Sequence, residues 1–160
     1  MKVLPKRFER FGLILHPEKT CQTVFKPGRK NSIDFLGFTH YWKRGRHQRW
    51  GICRKTMKSR FARSIKQIKE WCRRNRHLPI PEHYRQLIRK VKGHYAYYAI
   101  SGNYDALKRF RFAVLRVWIK WLHRRSQRHR GSSERLKRFY EWYSLPIAKI
   151  KTTQPASVMR

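Results

Sequence analysis

Residues 107–122 have the sequence LKRFRFAVLRVWIKWL, and this stretch decides the fold class. Its large apolar side chains recur every three or four positions, and cationic residues are interspersed among them. The apolar positions are Leu107, Phe110, Val114, Trp118, Trp121 and Leu122. This spacing is typical of one face of an amphipathic α-helix, so we predict a helix whose apolar face packs in a core.

The same spacing occurs three more times in the C-terminal two thirds of the chain. Before residue 78 the apolar positions are Phe61, Ile65, Ile68 and Cys72. The next set is Tyr84, Leu87, Ile88, Val91, Tyr95 and Tyr98. The last set is Leu136, Phe139 and Tyr143. The segment 78–81, Gly102 and Gly131 separate these stretches, so we predict about four helices joined by short connections.

Residues 1–54 have a different pattern. A short helix is predicted to end at Gly12, because glycine is common just after a helix. Short β-type runs follow at 24–25 and 33–38, and a predicted hairpin ends at residues 50–53. This segment is too small to form a domain by itself, so we expect it to lead into the helices.

The predicted fold class is therefore α+β, mainly α. A short β-hairpin lead-in is followed by a basic bundle of about four helices. We place the lead-in at 1–54, the helical domain at 55–147 and a flexible tail at 148–160. The tail is expected because the sequence beyond Pro146 is polar and irregular.

The charge balance restricts the function more than the length does. The 160 residues include 41 Lys and Arg against 8 Asp and Glu, a formal net charge of +33, yet 40% are hydrophobic and 14% aromatic. The aromatic content argues against a disordered basic tail, and the self-repulsion argues against an ordinary metabolic enzyme. A folded body this basic needs a polyanion, and nucleic acid is the expected partner.

Other sequence features limit the cellular compartment and the kind of functional site that we expect. The chain has no apolar run of about 18 residues, so we predict no membrane span. An anionic membrane surface remains a weaker partner candidate. Charges near the N-terminus interrupt the apolar run of a signal peptide, and the three cysteines are far apart. We expect a protein that is not secreted and resides in a bacterial cytoplasm or an organelle, with no metal site.

Five short motifs, in this order, resemble those of group II intron reverse transcriptases. Residues 11–20, FGLILHPEKT, resemble the sixth sequence block of that family, and residues 35–38, FLGF, are similar to its seventh. Residues 69–75, KEWCRRN, resemble the thumb. Residues 93–98 and 120–127 resemble the maturase-specific domain X that follows the thumb.

The resemblance covers roughly residues 3–147 and implies the C-terminal part of such a protein. Residues 1–54 would be the end of the palm, and 55–147 the thumb and maturase-specific domain. The family's catalytic Asp-Asp block lies upstream of its sixth block, and no Asp-Asp pair occurs in this sequence. We therefore expect no catalytic residue, no enzyme activity of the chain alone, and no cofactor. Mg²⁺ is expected only for an intact reverse transcriptase or for the intron RNA.

The resemblance implies an RNA-binding maturase module. It would bind group II intron RNA and support the folding, splicing and mobility of the intron, with target DNA as a further partner in an intron ribonucleoprotein. The alternative is the C-terminal subunit of a split reverse transcriptase, completed by a separately encoded N-terminal half. A second alternative is a small basic structural protein that binds RNA as ribosomal proteins do. This alternative does not explain the ordered motifs.

Candidate nucleic-acid contacts follow from the resemblance and from the basic clusters. In the lead-in they are Lys19, Phe35, Leu36 and Gly37. Lys19 has a polymerase role only in an intact enzyme, and a surface lysine is the alternative. Residues 35–38 would contact a sugar-phosphate backbone, or form an ordinary hairpin. Tyr97 lies off the apolar face and is a candidate for stacking on RNA bases, whereas Tyr95, Tyr98, Trp118 and Trp121 are expected in the core.

The basic clusters are too dense to be neutralised by the 8 acidic residues. Arginine suits phosphate because its planar guanidinium donates two parallel hydrogen bonds. The candidates are Arg73, Arg74, Arg76, Arg89, Lys90, Lys92, Lys108, Arg109, Arg111, Arg124, Arg125, Arg128 and Arg130. Arg124 and Arg125 directly follow the third apolar face, so we expect both side chains to project from the body. Trp42 and Trp50 are expected to be cross-strand partners.

Overall fold

A three-stranded antiparallel sheet precedes the main helices in the computed structural model. The structure describes residues 3–20, 22–28, 31–45, 48–125 and 133–150. Before the sheet come helix α1 and a short 3-10 turn, Val3–Glu9 and Pro17–Lys19. The strands are β1 (Ser32–Phe35), β2 (Phe38–Arg44) and β3 (Trp50–Thr56). The helices are α2 (Lys58–Arg74), α3 (Ile80–Tyr98), α4 (Tyr104–His123) and α5 (Ser133–Trp142). The predicted α+β, mainly α fold is confirmed.

The sheet has a tight turn between β1 and β2. Phe35 pairs with Phe38, so only Leu36 and Gly37 connect the two strands. Both connecting residues have positive φ, 48° and 80°. Two central residues with positive φ define the turn whose twist matches that of paired strands. Glycine adopts this conformation at no cost, but a branched residue such as Leu36 rarely does.

The core forms where the predicted apolar faces of α2, α3 and α4 meet. Its buried members include Ile68, Cys72, Leu87, Val91, Tyr95, Leu107, Phe110, Val114, Trp118 and Trp121. Phe139 and Tyr143 of the C-terminal segment pack against it from outside. The helical spacing in the sequence therefore identified the core correctly, because three- and four-residue steps return to the same side of a helix.

Asn103 joins the sheet to the helices. Its side chain is buried between α3 and α4, and its Oδ1 accepts the Thr56 backbone N–H at 2.8 Å. Its Nδ2 donates to the Tyr98 carbonyl at 2.9 Å and contacts the Thr56 hydroxyl at 2.8 Å. One amide thus satisfies polar groups from the end of β3 and the end of α3, which holds the two parts together.

Four details differ from the sequence predictions. Strand β3 continues to Thr56, across the predicted division at residue 54. Residues 24–25 form no strand. Trp42 pairs with Ile52, and Trp50 pairs with Arg44, so the two tryptophans are not cross-strand partners. The predicted tail starts too early, because Ala148 is buried and Ile150 packs against the core.

None of the helices in the described segments combines the length and the apolar character that are needed to cross a bilayer.

Candidate nucleic-acid interface

The turn between β1 and β2 presents apolar side chains to solvent. Phe35 and Leu36 are both exposed, although each is large and hydrophobic. The Tyr97 hydroxyl donates a 2.7 Å hydrogen bond to the Leu36 carbonyl, and the Tyr97 ring stacks on Phe38 at 5.7 Å. Tyr97 therefore supports the turn in its unusual conformation while part of its ring remains accessible. Backbone strain that is held in this way is characteristic of functional sites.

A cleft of about 500 Å³ lies between this turn and the start of α2. Gly37 lines it, and a Cβ at this position would lie 3.2 Å from the Tyr98 hydroxyl, so a larger residue would crowd the turn. Arg60 also lines the cleft. Burial, and to a smaller extent Tyr97, raises the pKa of Tyr98, and the positive charge of Arg60 acts in the opposite direction. Asp34 lines the cleft as well, and its Oδ1 accepts a hydrogen bond from the Thr39 hydroxyl at 2.5 Å. The aromatic wall and the Arg60 guanidinium suit a sugar-phosphate backbone, whereas the Asp34 carboxylate opposes a phosphate beside it.

Arg60 was missed at the sequence level because the cations near it, Lys58 and Arg63, are more widely spaced than those of the dense clusters. Only the packing of α2 against the turn places it in the cleft. Lys19, by contrast, is exposed on the short 3-10 turn and does not line this cleft.

The clusters at the end of α2 and on α3 are exposed. Arg73, Arg74 and Arg76 have accessible side chains, and Arg73 is paired with Glu70 at 2.9 Å. The three α3 residues are Arg89, Lys90 and Lys92. The Lys90 ammonium lies 5.3 Å from the centre of the Trp71 ring. Surface ion pairs and cation–π contacts of this kind are weak, so these side chains remain available to phosphate.

The cations at α4 and beyond divide into two groups. Lys108, Arg109 and Arg124 are exposed, and the Arg124 guanidinium lies 5.0 Å from the centre of the Trp121 ring. Arg111 and Arg125 are half-buried. Arg128 and Arg130 lie outside the described residues.

Arg111 and Arg125 hold the fold together. The Arg111 Nε donates to the Leu145 carbonyl at 2.9 Å, which fixes the segment after α5. The Arg125 guanidinium donates to the carbonyls of Arg76 and Leu78 in the connection between α2 and α3. The expectation that Arg125 projects from the body is therefore wrong, because backbone carbonyls of that connection capture its donors.

Few of the cations have acidic partners. Among the described residues the ion pairs are Arg73–Glu70 and Arg85–Glu82, both one helical turn apart. The whole sequence holds 41 Lys and Arg against 8 acids. Even if every acid were paired, at least 41 − 8 = 33 positive charges would lack a partner. The surface is therefore strongly electropositive, as a nucleic-acid-binding protein requires.

A second cleft, of about 300 Å³, lies between α2, α3 and α4. Ser64, Gln67 and Lys90 line it together with His94. The His94 ring stacks on Phe110 at 3.7 Å, and burial lowers its pKa to about 4. The His94 side chain is thus uncharged at neutral pH, and it offers hydrogen-bonding atoms without adding to the positive field.

Comparison of the chain with protein-family models, with curated proteins and with solved structures found no match. In the part of the chain that the structure describes, no three His, Cys, Asp or Glu residues form a group that could hold a metal ion. The absence of a cofactor stays a prediction.

Substitutions of Arg124 and Arg125 distinguish a residue that contacts RNA from a residue that stabilises the fold. Arg125→Ala is expected to lower the melting temperature, because it removes charged donors from two backbone carbonyls at a cost of about 1.5–3 kcal/mol. Arg124→Ala is expected to keep the wild-type melting temperature and to weaken RNA binding, lowering the salt slope by about one. Thermal unfolding and filter binding on both variants measure this difference. Equal melting temperatures for the two variants would contradict the structural role of Arg125.

Proposed function

We propose that this chain is an RNA-binding maturase module, which binds group II intron RNA and supports the folding, splicing and mobility of the intron. The observation that carries the proposal is the folded body's large unpaired positive charge. Backbone carbonyls accept hydrogen bonds from two of the cations, Arg111 and Arg125, and the sequence holds only 8 acidic residues to pair with the others. Binding to the phosphates of a folded RNA neutralises such a surface on several sides at once.

The choice of RNA rests on the ordered motifs that resemble the maturase family. The arrangement of the turn supports it: an exposed Phe35 and Leu36, a tightly packed Gly37 and the neighbouring Arg60 suit a single backbone approaching the cleft. Folded RNA is recognised through shape, 2′-hydroxyls and unstacked bases. A basic surface on every helix, combined with exposed aromatic rings, is suited to that form of recognition.

The test is a comparison of RNAs at several salt concentrations. A group II intron is expected to bind at least about tenfold more tightly than a scrambled RNA of equal length, a difference of about 1.4 kcal/mol. Logarithmic affinity should fall linearly with logarithmic salt, by about 0.7–0.9 for each phosphate neutralised. Filter binding measures both. Equal affinity for the two RNAs would leave only non-specific electrostatic attraction and would refute the maturase role.

A second candidate function is the C-terminal subunit of a split reverse transcriptase. The observation that favours it is the exposed apolar surface of the N-terminal segment. Ile14 is 96% exposed and Phe11 79%, and Leu13, Val3 and Leu4 are also exposed. A cleft of about 690 Å³ lined by Pro5, Leu13 and Ile14 lies in the same segment. Contiguous exposed apolar residues commonly mark a protein–protein contact, and a separately encoded N-terminal half would supply it.

Primer extension distinguishes the two candidates. The chain alone is expected to synthesise no DNA, since two-metal catalysis needs neighbouring carboxylates and the acids here are isolated in the sequence. If a polypeptide that carries an Asp-Asp block co-purifies and restores synthesis, the split enzyme is supported. A double substitution, Phe11→Ser with Ile14→Ser, should then abolish the association and leave RNA binding unchanged. Synthesis by the purified chain alone would contradict both candidates.

A further inference from the structure

One side of α4 carries an alternating series of aromatic and cationic residues. We call it the α4 face and define it by five exposed residues at four-residue spacing: Tyr104, Lys108, Phe112, Arg116 and Lys120. The opposite side of the same helix forms the core around Phe110 and Trp118. The α4 face is therefore directed away from the core, and Tyr104 at its N-terminal end still lies near Tyr95, whose pKa is raised by burial and further by Tyr104.

The two aromatic rings on this face are unusually accessible. Phe112 is 62% exposed and Tyr104 is 46% exposed. The Arg116 guanidinium lies 5.8 Å from the centre of the Phe112 ring, within the range of a cation–π contact. The two residues are eight positions apart, about 12 Å along the helix axis, with Lys108 midway. Such a spacing suits separate bases of one strand rather than a single bound base.

The charge on this face complements a polynucleotide. The face contains three cations, and Arg109 beside it adds a fourth. Asp105 is the only acidic residue of α4, and the Arg109 Nε donates to its backbone carbonyl at 3.3 Å. Both ion pairs of the described residues lie on α2 and α3. The cations of the α4 face are thus free to bind phosphates.

Cations alone would be enough to bind the phosphates of an RNA duplex, in which stacking hides the faces of the bases. Exposed rings add affinity only where bases are unstacked, because each ring can then stack on a base. We propose that the α4 face binds an unpaired RNA strand, with Tyr104 and Phe112 stacking on bases and Lys108, Arg116 and Lys120 contacting the intervening phosphates. This inference rests on the proposed RNA-binding function and names the form of RNA that this face selects.

The experiment compares two probes, a 12-nucleotide uridine oligomer and a 12-base-pair RNA duplex, with the full chain. Phe112→Ala is expected to weaken binding of the oligomer by about 5- to 150-fold and to leave duplex binding within about twofold. Phe112→Tyr, which keeps a ring, should restore the affinity. Trp142→Ala removes an exposed ring from α5 and is the control, expected to bind both probes as the wild type does. Alanine is well tolerated in an exposed helix position, so each variant should fold.

Crosslinking provides an independent measurement. An oligomer containing 4-thiouridine should crosslink to the tryptic peptide 112–116 of the wild-type protein, and unlabelled duplex should compete poorly. Two results with Phe112→Ala would overturn the proposal: an equal loss of affinity for the oligomer and the duplex, or no loss of affinity for either. The second result would indicate that this face contacts a protein. Unchanged oligomer binding in Phe112→Ala, with the preference for intron RNA retained, would refute this inference alone. Loss of that preference in the wild type would refute the maturase role alone.

Discussion

Trp118→Ala is expected to unfold the helical domain or to lower its melting temperature strongly. The Trp118 side chain is completely buried, and the rings of Tyr84, Phe139 and Tyr143 lie within 5.1–6.1 Å of it. Removing an aromatic side chain from a core costs about 3–5 kcal/mol. The total stability of a small domain is about 5–15 kcal/mol, so the loss is a large part of it.

A hydrogen bond adds to this cost. The Trp118 indole N–H donates to His83 Nδ1 at 2.9 Å inside the core. Without the indole, a buried acceptor loses its partner, at about 1–3 kcal/mol. Trp118→Phe loses the donor and part of the side-chain volume but keeps one aromatic ring in the core, so it should be destabilised less than Trp118→Ala.

Thermal unfolding monitored by circular dichroism measures both variants. Trp142→Ala is the matched control, because the Trp142 side chain is exposed and its loss should change the stability by about 0.5 kcal/mol or less. If Trp118→Ala melted at the wild-type temperature and lost RNA binding instead, the tryptophan would be a contact residue and the assigned helix face would be wrong.

Acidification from pH 6.5 to pH 4 is expected to reduce the free energy of unfolding by about 3 kcal/mol through His83 alone. The pKa of His83 is lowered to about 4, mainly by burial and also by the positive charge of Arg125, while a hydrogen bond with the Cys72 backbone acts in the opposite direction. Above pH 6.5 both the folded and the unfolded state hold a neutral imidazole. Between pH 6.5 and 4 only the unfolded state binds the proton, so stability falls as the pH falls.

His94 contributes in the same direction, since burial lowers its pKa to about 4 as well. Chemical denaturation at pH 7, 5.5 and 4.5 measures the slope. His83→Gln should reduce this slope, whereas His123→Gln removes an exposed histidine and is the control. Titration of the histidine ring protons by NMR in the wild-type protein gives the pKa of His83 without any substitution. A stability that is constant from pH 7 to pH 4.5 would contradict the assignment.

Burial also accounts for the behaviour of Cys72. Its thiol lies in the core, and burial raises its pKa to about 12 against the opposing charge of Lys90. The Cys72 side chain therefore remains protonated at neutral pH and acts as a small apolar residue. The apolar spacing of α2 had already placed it among the core residues.

The sequence predicted many of the residues of the candidate site. It predicted less about how those residues are arranged in space. The exposed cations of α3 follow from their positions between the apolar residues. The exposed rings of the α4 face were overlooked, although their four-residue spacing was visible, because the apolar face of the same helix dominates the pattern. Arg60 carries no local signal, since its place in the cleft depends on how α2 meets the turn.

Local properties of the sequence determined the helices, the core residues and the excess of positive charge. Helical periodicity and composition depend on neighbouring residues alone, so no knowledge of packing is needed to recognise them. The tertiary structure decided which cations are available. Arg111 and Arg125 donate to carbonyls that are 34 to 49 residues away in the chain. Such contacts form only when distant segments pack together, and packing likewise buries Ala148 in a segment whose polar sequence predicted a tail.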